Sequence, residues 1–131
     1  MTGSSGVSRR TLLGAAVASP VVLRHALGDE PIKIGMPCAL TGPGGEVGEQ
    51  MRRGAEFWIK SVNAKGGLLG RQIQLFAQDT GGDPATCVRK AQDAVERDGC
   101  RLLFGMTLSS EALAVVPKLA DWNAIFMSSD N

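Results

Sequence analysis

Two stretches of this sequence carry residue types that could do chemistry. The first is LTGPGGEVG, residues 40–48, with four glycines and a proline directly after an apolar run. A glycine-rich turn that follows a strand and opens a helix can cradle a phosphate on its backbone N–H groups. The second is Ser109-Ser110, in which hydroxyls at the start of a helix, together with the helix's own N–H groups, suit an anion. The phosphate reading is tested by spacing, and it fails. No Gly-Lys pair follows Gly42, Gly44 or Gly45, so no nucleoside-triphosphate loop is present. The dinucleotide pattern read from Gly42 and Gly44 requires glycine at 47, where Val47 stands, and Gly48 comes one residue late. Asp79 ends the next strand, but lies about 30 residues beyond the loop rather than the ~20 of a ribose-binding acid. Two readings of the loop remain: a close backbone approach to another ligand, or a tight strand-to-helix turn with none. Ser109 and Ser110 likewise read either as ligand contacts or as helix caps.

Catalytic and metal chemistry find little support. The only histidine is His25, which belongs to the leader described below, so no nucleophile–base pair remains beyond it. No carboxylate pair is placed for acid–base work, no His or Cys cluster has metal spacing, and no cofactor is expected. The three cysteines are an odd number, so at least one is unpaired. Cys87 and Cys100 flank a predicted helix and lie ~20 Å apart at 1.5 Å rise per residue, too far for a disulfide. Cys38 and Cys87 both fall at one edge of the predicted sheet.

Residues 1–28 read as an export signal. Ser8-Arg9-Arg10-Thr11-Leu12-Leu13 leads into an apolar run over residues 12–23, and Ala26-Leu27-Gly28 fits a small-x-small cleavage site before Asp29. About twelve apolar residues are too few to span ~30 Å of hydrocarbon. The twin arginines match the signal for export of folded proteins; the alternative is an ordinary secretory signal that happens to hold two arginines. Arg9, Arg10 and Arg24 give this leader +3, so the remainder of a chain with net charge +1 carries −2. That balance argues against a nucleic-acid surface.

The elements that must position the two stretches alternate in type. Strands are predicted over residues 31–37, 72–78, 101–105 and 124–127, the third nearly continuous in apolar residues, as when both faces are covered. Helices are predicted over 47–64, from Pro84 behind an Asp83 cap to Gly99, and over 111–122. The first carries an apolar stripe of Met51, Ala55, Trp58, Ile59 and Val62, and Gly66 or Gly67 ends it. The second carries Val88, Ala91, Gln92 and Val95. Ser109 or Ser110 caps the third, in which Pro117 forces a kink or rearrangement. The order βαβαβαβ predicts an α/β fold with a doubly wound parallel sheet, truncated after its fourth strand.

The pieces IGMP, LTGP, the helix opening from Gly48 to Gly54, VNAKGGLLGRQI, Asp79 with Asp83-Pro84, and the turn at 105–109 run in order over residues 32–127. In that combination the sequence resembles the first lobe of periplasmic solute-binding proteins of the branched-chain amino-acid type, a flavodoxin-like type I lobe. The resemblance implies that residues 29–131 are the incomplete N-terminal lobe of a two-lobe protein. Such a protein would close on a small solute and deliver it to the membrane permease of an ATP-binding-cassette (ABC) importer. It implies a carboxylate-binding role for Ser109 with Ser110 beside it. Further contacts would come from Thr41 and Gly42 and, after the fourth strand, from Ser128, Ser129 and Asn131. Val47 stands where branched-chain binders often carry an aromatic shelf, and the chain has no tyrosine. The disulfide of several such binders would need cysteines near Gly82 and Leu108. These departures widen the expected solutes to another amino acid, an amide or an organic acid. A ligand-sensing domain of a receptor or regulator, and a nucleotide-dependent flavodoxin-like enzyme, are the alternatives.

The leader generates a direct test. Replacing Arg9 and Arg10 together by lysine stops export if the twin-arginine machinery is used, measured as the periplasmic share of the protein. An undiminished share in the double variant returns the leader to the ordinary secretory class.

Overall fold

The computed structural model describes residues 30–128. The leader, Ser129 and Asn131 lie outside the described residues. The elements are β1 (Ile32–Cys38), α1 (Gly45–Ala64), β2 (Ile73–Asp79), α2 (Pro84–Glu96), β3 (Leu102–Gly105), α3 (Ser109–Val115), a 3-10 turn (Val116–Lys118) and β4 (Ile125–Ser128). All strand pairs are parallel and the sheet order is β2-β1-β3-β4. The doubly wound α/β reading therefore holds. The sheet winds outward from β1 in both directions, which sends α1 to one face and α2 and α3 to the other.

On the α2–α3 face, Cys87, Ala91, Ala94 and Val95 of α2 pack with Leu103, Met106, Ala112 and Val115. Small alanines let the helix come close to the sheet. Full burial of Leu103, Met106 or Val115 stabilises by ~1.5–3 kcal/mol each, several times the ~0.3–0.5 kcal/mol of an i,i+4 ion pair. That comparison ranks this core above the α1 surface pairs of Arg52 with Glu49 and Glu56. Gln92, expected in the stripe, is exposed, and Cys87 and Ala94 take the buried positions. The helix sits rotated so that its smallest side chains meet the sheet.

The α1 face is only half covered. Ile34, Leu75, Leu102, Phe104 and Met127 line an apolar hollow of about 380 Å³ beside Ala55, Trp58 and Ile59 of α1. Leu102 is 37% exposed, Ile125 63% and Met127 65%. This corrects the expectation that β3 is covered on both faces: α1 packs on β2, and no helix among the described residues covers the exposed side of β3 and β4. For the same reason only Ile59 of the α1 stripe is fully buried.

Local signals explain the element ends. Asp83 caps α2, its carboxylate accepting the Thr86 N–H at 2.7 Å, with Pro84 in the first turn. α1 ends as expected in a Schellman arrangement, with Gly66 N–H donating to Asn63 O and Gly67 N–H to Val62 O. Asn63 then pairs both ways with the Ile73 backbone, fixing where β2 starts. The third helix departs from expectation. Leu108, not Ser109 or Ser110, is its N-cap, and the helix stops at Val115 rather than Trp122. Pro117 lacks the N–H a longer helix needs, so the chain tightens into the 3-10 turn.

At the other end of α1 the packing is closest. A Cβ placed on Gly48 would lie 1.8 Å from the Ala39 carbonyl oxygen, whereas one on Gly54 would meet nothing within 4 Å. Gly48→Ala is therefore expected to destabilise by about 3 kcal/mol or more, since a backbone carbonyl cannot move aside as a side chain can. Gly54→Ala should stabilise by about 0.5–1 kcal/mol through helix propensity. Denaturant midpoints of the two variants check the contrast, and equal effects would contradict this packing.

Candidate functional site

The winding reverses between β1 and β3, and a crevice outside the carboxyl ends of strands at such a switch point is where ligands of open α/β sheets sit. Three loops form its wall here: residues 39–44 after β1, 80–83 after β2 and 106–108 after β3. Pro37 has no N–H for the ladder, so β1 and β3 pair only at Ile34↔Leu102 and Gly35↔Leu103. Beyond that, Met106 N–H donates to Pro37 O at 3.0 Å and Ala39 N–H to Thr107 Oγ1 at 3.2 Å. Met106 is buried with φ of 60°, a strained conformation for a side chain of that size, and such strain clusters at functional loops.

The loop after β1 hangs on one side chain. Asp79 Oδ1 accepts the N–H groups of Leu40 (2.9 Å), Thr41 (3.2 Å) and Gly81 (2.9 Å), and Asp79 Oδ2 accepts the Thr41 hydroxyl at 2.6 Å. The Thr41 hydroxyl and three backbone N–H groups favour the charged form and hold this carboxyl at about 2, below its ordinary 3.8. Asp79 is thus a loop anchor and not a ribose acid. Gly44, with φ of 84°, turns the chain into α1. A Cβ on it would lie 3.3 Å from Thr107 Cγ2 and 3.4 Å from Leu108 Cδ2, so the loop already abuts the start of α3.

A second carboxylate works below the surface. Glu111 is fully buried; its Oε1 accepts the Thr80 hydroxyl and its Oε2 accepts Leu108 N–H at 3.1 Å. The last contact is half of a capping box, since leucine at the N-cap has no side-chain oxygen to return it.

Of the sequence-derived site residues, Thr41 and Gly42 lie exposed in the first loop and Ser109 and Ser110 lie exposed in the first turn of α3. The structure brings these four to one edge of the sheet. Val47 is 46% exposed on the first turn of α1. Ser128 ends β4 opposite Gly105, exposed at the same edge. Thr107, Thr80 and Glu111 escaped the sequence reading. A glutamate three residues after Leu108 is the available signal, and it reads as one only with the cap at Leu108 rather than at Ser109 or Ser110.

The crevice offers hydroxyls and backbone groups. The three cysteines are buried and protonated at neutral pH, burial above all pushing the Cys38 and Cys87 thiols up to about 12 and that of Cys100, at the other end of the sheet, to about 11. All three are free, and among the described residues no cluster of His, Cys, Asp or Glu could hold a metal ion. Such a wall can hold polar groups of a small molecule by hydrogen bonds.

Asp79 carries the pH-dependent part of this wall. Folding lowers its pKa, so its contribution to stability is present in full above about pH 4 and is lost as pH falls toward about 2. Asp79→Asn should lower stability by about 1–2 kcal/mol at pH 7, as expected for hydrogen bonds to a charged acceptor near solvent. The gap between variant and parent closes between pH 4 and pH 2, read from thermal unfolding across that window. A gap independent of pH would mean that the charge of Asp79 plays no part.

Comparisons with known proteins agree with this architecture. Residues 31–130 match the family described as periplasmic binding protein. The Leu/Ile/Val-binding protein BraC3 of Rhizobium johnstonii is 36% identical over 118 residues, which cover 90% of this chain and 31% of that protein. The substrate-binding protein LivJ of Streptococcus pneumoniae, solved with isoleucine, superposes with a TM-score of 0.72 at 23% identity, over 76% of this chain and 28% of that one. A solute-binding protein from Rhodopseudomonas palustris, solved with 3,4-dihydroxybenzoic acid, superposes with a TM-score of 0.69 at 21% identity, over 75% and 26%. At those identities the two solved structures speak for the fold alone. The chain spans about a third of the length of the relative it matches over 90% of its own residues. With the sheet order, the switch-point crevice and the family match in agreement, this chain belongs to the periplasmic binding proteins, in the type I group that includes the Leu/Ile/Val-binding proteins.

Proposed function

We propose that residues 29–131 form one wall of the solute site of an exported binding protein that serves an ABC importer. The single observation that carries this reading is the crevice itself. Loops from β1 and β3 are locked side by side, so that Thr41 and Gly42 face the same edge as Ser109 and Ser110. Pre-ordered loops lower the entropic cost of binding. The second wall belongs to the part of the protein that relatives carry beyond this length, and closure between the two excludes water and strengthens polar contacts.

The solute is an amino acid or a related small polar molecule such as an amide or organic acid. The ligands named for the relative BraC3, leucine, isoleucine and valine, each carry a carboxylate. The Ser109 and Ser110 hydroxyls and the amides around them are the groups suited to it. Val47 in place of an aromatic shelf leaves the side-chain preference open to solutes other than leucine, isoleucine and valine. Delivery to a membrane permease and export through the twin-arginine machinery complete the reading. It is a binding role without catalysis.

Ser109→Ala in a longer form, with the remaining two-thirds of the family's length present, tests it. Calorimetry against leucine, other amino acids and small organic acids should show affinity reduced by about 1.5–3 kcal/mol, the range for a hydrogen bond to a charged group. Unchanged affinity would leave Ser109 as the first residue of α3 and nothing more.

A further inference from the structure

The loop after β1 and the start of α3 are attached to adjacent residues of one chain segment. Asp79 holds the loop after β1, and Thr80, its neighbour, is tied to Glu111 in α3. Thr80 is almost fully buried and is committed on every side. Its N–H donates to Cys38 O, its carbonyl accepts Asp83 N–H, and its Oγ1 accepts Gly82 N–H while donating to Glu111. From Glu111 the connection continues to Leu108 N–H, one residue before Ser109. A buried polar side chain is retained only where its partners are in place, and losing one leaves another orphaned.

We propose that Glu111 is a positioning residue for the crevice, coupling the end of β2 to the start of α3 so that the loops after β1 and β3 hold a fixed separation. Glu111 touches no solute in this arrangement. It acts through Thr80 on one side and Leu108 on the other, and the inference rests on the crevice being the solute site. A glutamine can replace it only in part: its carbonyl oxygen can accept Leu108 N–H, but the amide group then facing Thr80 is a donor, so the Thr80 hydroxyl loses its acceptor. Leucine of similar size can make neither bond.

Amide hydrogen exchange on the 131-residue chain, with no solute present, tests the coupling. In Glu111→Leu, and in the milder Thr80→Val, the amides of Leu108, Gly82 and Leu40 should exchange about tenfold faster or more, beyond any change at Gly67 and Ile73 at the opposite end of the sheet. Glu111→Gln, which keeps the bond to Leu108, should exchange more slowly at Leu108 than Glu111→Leu does. Uniform acceleration at both ends of the sheet, or no acceleration at Leu108 and Leu40 in Thr80→Val, would overturn the proposal and leave Glu111 a general core residue. Solute affinity in the longer form supplies the second arm, with Glu111→Leu weaker by about tenfold and Glu111→Gln between it and the parent. If the longer form binds none of the solutes, the functional reading fails while the exchange result still decides the coupling.

Discussion

A loop that leaves a parallel strand and turns at once into a helix has backbone N–H groups with no ladder to join, and each needs an acceptor. In this protein Asp79 is that acceptor for the loop after β1. One carboxylate at the end of β2 takes Leu40, Thr41 and Gly81 N–H and the Thr41 hydroxyl. The consequence reaches the helix, because a fixed loop fixes the entry of α1. Only then can Gly48 sit against the Ala39 carbonyl, an approach that no side chain would permit. The crevice wall is therefore set by a charge on the neighbouring strand and by a missing side chain on the following helix.

Burial is divided unevenly between the faces of the sheet. The α2–α3 face holds most of the fully buried side chains and makes the lobe cohere. The α1 face is packed less fully, with an apolar hollow lined by Ile34, Leu75, Leu102, Phe104 and Met127. The crevice lies at the edge where these faces part, so its loops are backed by the well-packed side through Met106, Ala112 and Glu111. Its polar groups, in contrast, look outward. That arrangement suits a wall that must keep its shape before a ligand arrives.

Much of the fold was legible because it rests on local chemistry. Asp83-Pro84 signals a helix start by itself, and Gly66-Gly67 signals a helix end, as both act within a few residues of chain. Pro117 announced a break, and the turn after Val115 is what it produced. What failed to show was tertiary. Gln92 was placed in the core because a helical period alone cannot tell which side of the helix meets the sheet. Serine is the better cap in isolation, whereas Leu108 holds the position through its backbone bond to Glu111. Asp79 stood in plain view but was weighed as a ribose ligand; its four donors come from 38 to 39 residues upstream and two downstream. No spacing rule reports such a contact.

The central claim is that this crevice is one wall of a site whose polar contacts become strong only when an opposite wall closes over them. Calorimetric titration of the 131-residue chain with leucine and with a panel of amino acids and organic acids tests it most directly. A single open wall leaves its hydrogen bonds in competition with water, so the account predicts dissociation constants of millimolar or weaker, about −4 kcal/mol at most. Micromolar binding by this chain alone would contradict it.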